Sequence, residues 1–163
     1  MVEYRADLPE DLPAMRELFQ EYGRSLGIDL SFQGFNEELA SLPGKYAPPQ
    51  GAVIIALCNG IPSGCVALRR IDEHACEMKR LYVRPGNRGL RIGWELVTRI
   101  IQAGKARGYE AMRLDTLPSM ASAVSLYRSF GFQEIDPYIF NPIPGALFME
   151  KRLQQRSAQP RSP

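Results

Sequence analysis

The spacing of apolar positions changes several times along the chain, and each change marks an element. Val2-Glu3-Tyr4-Arg5 alternates and predicts a short opening strand. Over residues 11–25, Leu12, Met15, Leu18, Phe19 and Tyr22 form one stripe of an amphipathic helix. Pro9 to Pro13 suits its start, and Gly23 or Gly27 its end. Residues 34–42 predict a shorter helix, followed by a loop bracketed by Pro43-Gly44 and Pro48-Pro49. Residues 52–58 are a continuous apolar run. Asn59-Gly60 then supplies the two positive φ angles of a hairpin turn, and residues 62–71 return as the partner strand. A polar turn, Asp72-Glu73-His74, leads into a third strand over 75–83.

The second half switches to strands alternating with helices. After a Gly-rich turn, Ile92, Leu96, Val97, Ile100 and Ile101 share a helical face, with Arg99 and Lys105 outward. Gly108 ends this helix, and Lys105 and Arg107 suit its negative C-terminal end. Residues 109–114 predict a strand. Residues 119–130 predict a helix with Ala123, Leu126, Tyr127 and Phe130 on one face, closed by Gly131. The last strands are 132–135 and 146–153, split by a loop holding Pro137, Pro142 and Pro144. This order is mixed α/β, and the crossover from Leu81 to Leu114 requires those two strands to be parallel. Residues 1–153 are expected to form one domain, and the polar segment 154–163 a disordered tail.

Composition narrows the function classes. The 163 residues are 45% apolar, enough for one core. A formal net charge of +2 implies no polybasic surface, so no nucleic-acid partner is expected. No apolar run is long enough to span a bilayer, and Met1-Val2-Glu3-Tyr4 shows no secretory leader. A soluble cytoplasmic protein without a membrane partner is therefore expected. Cys58, Cys65 and Cys76 are odd in number and lack Cys-x-x-Cys spacing, which argues against a disulfide framework or zinc site. In their apolar runs they read as small buried hydrophobes. His74, the single histidine, lies in a polar turn, so neither a Cys–His nucleophile nor a catalytic metal is expected. A homodimer is an arrangement the sequence leaves open.

Candidate chemistry concentrates in Leu81-Tyr82-Val83-Arg84-Pro85-Gly86-Asn87-Arg88-Gly89-Leu90-Arg91-Ile92-Gly93, the end of a strand, a turn and the start of a helix. Amides exposed at a helix N-terminus bind anions. Arg88 and Arg91 add charge, and Gly86, Gly89 and Gly93 allow a phosphate close approach. Ordinary turn chemistry accounts for the same residues. The turn is neither a Walker loop, since no Gly-Lys-Ser/Thr follows, nor a Gly-x-Gly-x-x-Gly dinucleotide fingerprint. Taken singly, Tyr127 is a core aromatic and Glu77 a solvated edge charge.

Together these pieces resemble the GNAT superfamily of N-acetyltransferases. Its hallmark is Arg/Gln-x-x-Gly-x-Gly/Ala at a helix start, after a strand ending Val-x-Pro; here Val83-Arg84-Pro85 and Arg88-Gly89-Leu90-Arg91-Ile92-Gly93 follow that layout. A second hallmark, Ala-x-x-Leu-Tyr-x-x-x-Gly-Phe, is matched by Ala123-Val124-Ser125-Leu126-Tyr127-Arg128-Ser129-Phe130-Gly131-Phe132. Two positions depart. Arg91 replaces the first glycine of the pair, and Met120 stands where an asparagine is common. Ordinary negative φ is expected for Arg91, leaving only a steric cost and a charge-assisted gain toward a diphosphate.

The resemblance implies a mixed, mostly antiparallel central sheet with a parallel splayed strand pair and flanking helices. It implies direct transfer of an acetyl group from acetyl-CoA, as cosubstrate and without a metal, to the amine of a small molecule or peptide. Main-chain groups of Leu81, Tyr82 and Val83 would pair with the pantetheine arm, and an amide near Leu81 or Tyr82 would polarise the thioester carbonyl. Amides from Arg88, Gly89, Leu90, Arg91, Ile92 and Gly93 would hold the pyrophosphate. Tyr127 would protonate the leaving thiolate, and Glu77 would be the general base through water, with Glu73 as its substitute. The acceptor pocket would draw on Tyr22, Phe32, Phe35, Tyr46, Tyr138 and Phe140. Arg69, Arg70 and Arg80 are there either to meet an acceptor's carboxylate or as the solvated face of the sheet. The rivals are a catalytically silent acyl-CoA-binding module and a nucleotide-binding regulator.

Overall fold

In the computed structural model, residues 1–7, 9–27, 29–31 and 34–154 are described. β1 (Val2–Ala6), β2 (Ala52–Cys58), β3 (Ile61–Arg70) and β4 (Ala75–Val83) form an antiparallel meander, and α1 (Leu12–Ser25) and α2 (Phe35–Ala40) connect β1 to β2. α3 (Ile92–Ala106) carries the chain to β5 (Ala111–Thr116), which pairs parallel to β4. α4 (Ala121–Ser129), β6 (Gln133–Ile135) and β7 (Leu147–Arg152) follow. The sheet order is β1-β2-β3-β4-β5-β7-β6, and β4–β5 is its parallel pair. The mixed α/β fold with a mostly antiparallel sheet is as the sequence implied.

The central strands lack polar alternation because both faces of the sheet are covered. On one face Ala52, Ile54, Ala56, Val66, Leu68, Cys76 and Met78 pack against Ile92, Leu96 and Ile100 of α3. On the other, Val53, Ile55, Leu57, Cys65 and Ala67 meet Met15, Leu18 and Phe19 of α1. The β2–β3 turn has Asn59 at φ +50° and Gly60 at φ +80°, the pair the hairpin required. Gly64 has a different reason: a β-carbon there would lie 2.9 Å from the Tyr82 carbonyl oxygen.

Boundaries differ by a residue or two where the ends are set by packing. The strand expected from Tyr109 starts at Ala111, because the Tyr109 N–H donates back to the Gly104 carbonyl of α3 at 3.2 Å instead of to a neighbouring strand. Cys65 and Cys76 are buried free thiols, as expected, while Cys58 is half-buried. Exposed His74 lies 3.6 Å from Glu110. Gln154, first residue of the expected tail, donates to the Lys105 carbonyl at 2.9 Å, and 155–163 lie outside the described residues. No described helix is long and apolar enough to cross a membrane.

Candidate active site

β4 carries a bulge at its centre. Cys65 pairs with Tyr82 but Ala67 with Lys79, so Arg80 and Leu81 together oppose Val66. Arg80 adopts φ +62°, and its carbonyl accepts the Cys65 thiol at 3.2 Å. The extra residue reverses the alternation. Before it, Cys76 and Met78 face α3; after it, Leu81 and Val83 do. Lys79 and Arg80, adjacent in sequence, therefore both escape the α3 face. The parallel register with β5 runs Ala75↔Ala111, Cys76↔Met112, Glu77↔Arg113 and stops there, while β4 continues to Val83. This is the splayed pair.

A narrow cleft, with a cavity volume of about 30 Å³, opens along the splay. Leu81 and Tyr127 line it together, with Tyr22, Lys79, Asp115 and Asn141 among the other walls. The Tyr82 side chain points elsewhere, into the α1 cluster, with its hydroxyl 3.3 Å from Glu21 Oε1. Tyr127 is 6% exposed and packs edge-on against Phe132. Burial pushes its phenol above the ordinary value, and the hydroxyl bonds to no described residue.

At the start of α3, the main-chain N–H groups of Gly89 through Trp94 donate to no described residue, and no side chain caps the helix. The turn rests against β4 and α4: a β-carbon built on Gly93 would lie 3.8 Å from Val83 and 3.7 Å from Leu126. The Arg88 Nε donates to the Val83 carbonyl at 3.3 Å. Arg91 corrects an expectation. It is the N-cap residue at φ +59°, ψ +21°, a left-handed conformation and not the ordinary negative φ. A glycine suits that conformation best, which gives a backbone reason for the glycine of the family motif. The Arg91 guanidinium lies 4.8 Å over the Trp94 ring.

Glu77 is not a solvated edge charge. It lies on a central strand and is 0% exposed. Its Oε1 accepts from Arg69 Nε at 2.7 Å and its Oε2 from the Tyr138 hydroxyl at 2.6 Å. Burial and the Glu77 charge both raise the Tyr138 phenol. Arg80 is not on a solvated face either: at 2% exposure it donates to Glu38 at 2.9 and 3.0 Å and stacks under Phe35 and Tyr22. Arg70 is exposed. Of the expected acceptor-pocket aromatics, Tyr22 lines the cleft. Phe35 packs on Arg80, Tyr46 is core against Phe19, Phe140 is 72% exposed, and Phe32 lies outside the described residues. The sequence reading passed over Lys79, Asp115 and Asn141. The available signal was Met78-Lys79-Arg80-Leu81, two adjacent cations inside a buried strand, which an unbroken alternation cannot place.

The chain is 45% identical to an uncharacterized N-acetyltransferase of Schizosaccharomyces pombe, over 91% of this chain and 92% of the relative. Its fold matches a GNAT-family acetyltransferase from Staphylococcus aureus with a TM-score of 0.77 at 22% identity, covering 94% of this chain and all of that one. It also matches a Salmonella typhimurium protein solved with its cofactor acetyl-CoA, with a TM-score of 0.72 at 20% identity, covering 96% of each. The model of the acetyltransferase (GNAT) family matches residues 12–132. With this family match spanning both sequence hallmarks and the splayed strand pair, the chain belongs to the GNAT acetyltransferase family.

Proposed function

We propose that this protein moves an acetyl group from acetyl-CoA to the amine of a small molecule or peptide. The observation that carries the reading is the run of undonated amides at the α3 N-terminus, set against Val83 and the turn of α4 that bears Tyr127. Such amides, together with the helix dipole, favour a bound pyrophosphate, and Arg88 and Arg91 add charge. The pairing of β4 with β5 ends at Glu77, which leaves the main chain of Leu81, Tyr82 and Val83 for the pantetheine arm. The family match and the acetyl-CoA of the Salmonella protein support the same ligand.

Acetyl-CoA supplies an activated acyl thioester. The chain's residues handle the protons. The Tyr127 hydroxyl is protonated at any working pH because burial disfavours phenolate, and it would give its proton to the departing sulfur. In water a phenol near 10 is a weaker acid than a thiol near 8.5, and burial raises the phenol further, so the transfer depends on the same desolvation raising the departing thiol at least as much. Glu77 would take the acceptor's proton through water, since both its oxygens are already engaged. Glu77→Gln is expected to lower kcat/KM by about 10²-fold. An unchanged kcat/KM, with the melting temperature retained, would remove Glu77 from the chemistry.

The testing experiment is CoA release across an amine panel, run beside thermal shifts with acetyl-CoA, CoA and ATP. Stabilisation by acetyl-CoA with thiol release is expected. The closed bonding of Glu77 favours one rival, a CoA-binding module without transfer, and binding with no release from any amine would establish it. Stabilisation by ATP alone would overturn both readings.

A further inference from the structure

The Lys79 ammonium is buried in the cleft wall without a hydrogen bond to any described residue. It lies 3.8 Å from Glu77 Oε1 and 3.8 Å from Asp115 Oδ1, beyond hydrogen-bond reach of both, with its side chain 4% exposed. Neighbouring cations are served differently: Arg69 is 2.7 Å from Glu77 and Arg80 is 2.9 Å from Glu38. Those are closed, charge-assisted pairs. Lys79 and Asp115 stand at ion-pair distance without a hydrogen bond between them. Across the gap, Asp115 Oδ2 accepts from Asn141 at 3.0 Å, while its Oδ1 makes no hydrogen bond with a described residue.

An ammonium taken out of water without replacement acceptors is costly. Burial lowers the Lys79 pKa, and the Glu77 charge opposes this only in part. The sheet nonetheless places the group here, on the same cleft as Tyr127. The cleft thus offers one cation and one anion, 3.8 Å apart, each with unused hydrogen-bonding capacity. An amino acid presents the complementary pair.

We propose that the acceptor is a small amine carrying a carboxylate, which the Lys79 ammonium binds while Asp115 receives the acceptor's ammonium. This inference rests on the acetyltransferase reading above and narrows its substrate class. Three donors on Lys79 match the oxygens of one carboxylate, and binding restores what burial removed. The selection is against plain amines: they leave the Lys79 ammonium unserved, a loss that polar-recognition sites convert into discrimination.

The test compares amino acids with their own carboxamides, following CoA release and reading KM at a pH below both amine pKa values, so that both members of a pair bind as the ammonium. The wild-type protein is expected to show a KM at least about tenfold lower for the acid of each pair. Lys79→Met should collapse that ratio toward one, and Lys79→Arg should restore part of it. A wild-type ratio near one overturns the inference while leaving the acetyltransferase reading standing. A Lys79→Met loss confined to kcat and equal for acid and amide also overturns it, placing Lys79 at the reacting atoms instead. Should Lys79→Met fail to melt cooperatively, the wild-type ratio decides. An absence of turnover on every amine overturns both readings.

Discussion

Arg91 combines two opposing effects in one residue. Its left-handed φ of +59° costs an L-residue roughly 1–2 kcal/mol. The guanidinium over Trp94 returns about 0.5–1 kcal/mol. Arg91→Gly removes the strain and the stacking together and adds chain entropy, so stability should change by less than about 1 kcal/mol. Arg91→Val keeps the strained backbone, crowds it with a branched side chain and loses the stacking, so a loss of about 2 kcal/mol is expected. Urea denaturation of the two variants checks this, and equal midpoints would mean that the helix start relaxes. Tyr127 presents the converse case, a residue whose packing and chemistry are separable. Tyr127→Phe keeps the contact with Phe132 and removes only the hydroxyl proposed as the acid, so kcat should fall about 10²-fold with acetyl-CoA affinity nearly unchanged. Unchanged turnover would make Tyr127 a packing residue.

Among the elements, α2 is the one that its own sequence stabilises least. It has 6 residues and none fully buried, far below the length at which a helix holds itself. Glu38 ties it to the sheet. The carboxylate receives two bonds from Arg80 in the β4 bulge and one from the Tyr46 hydroxyl at 2.6 Å. Glu38→Ala deletes these bonds to a guanidinium only 2% exposed, so the expected cost is about 3 kcal/mol. Chemical denaturation measures it; a loss below about 1 kcal/mol would show that Arg80 finds water. The bulge itself is a sheet-level feature. One inserted residue moves Leu81 and Val83 onto the α3 face and leaves Lys79 and Arg80 off it, which gives the cleft its charge.

At the scale of the molecule, burial of ionisable groups sets the response to alkali. Burial raises the phenols of Tyr22, Tyr46, Tyr127 and Tyr138 above their ordinary value of 10.0. The folded state therefore favours the protonated forms. Their contribution is whole below pH 10 and is lost above it, as the unfolded chain ionises and the folded one does not. The slope is about 1.4 kcal/mol per pH unit for each group. The thiols of Cys65 and Cys76 act the same way from about pH 9, Cys76 being pushed up to about 12. Lys79, whose pKa burial lowers, works in the opposite direction but only below its ordinary value of 10.5, above which it adds no slope. Urea midpoints measured between about pH 8 and pH 11 should fall steeply above about pH 10. A flat profile would mean that these phenols ionise within the fold.

Local patterning made much of this protein legible. Asn59-Gly60 fixed a hairpin because its backbone angles are a property of two residues, and the stripe from Ile92 to Ile101 fixed α3 because its period is local. The order of the two motifs placed the Gly-rich turn and Tyr127 on adjoining elements. The orientation of β4 side chains was not legible, since the bulge depends on the hydrogen-bond register with β3. Nor was the burial of Glu77, whose partners Arg69 and Tyr138 come from another strand and a distant loop. The sequence by itself determined which segments become helices and strands and which family they build, because periodicity and turn chemistry act over a few residues. Only the tertiary structure decided which charges are closed into pairs and which are left facing the cleft, because that balance is struck between side chains far apart in the chain, where solvent has been removed.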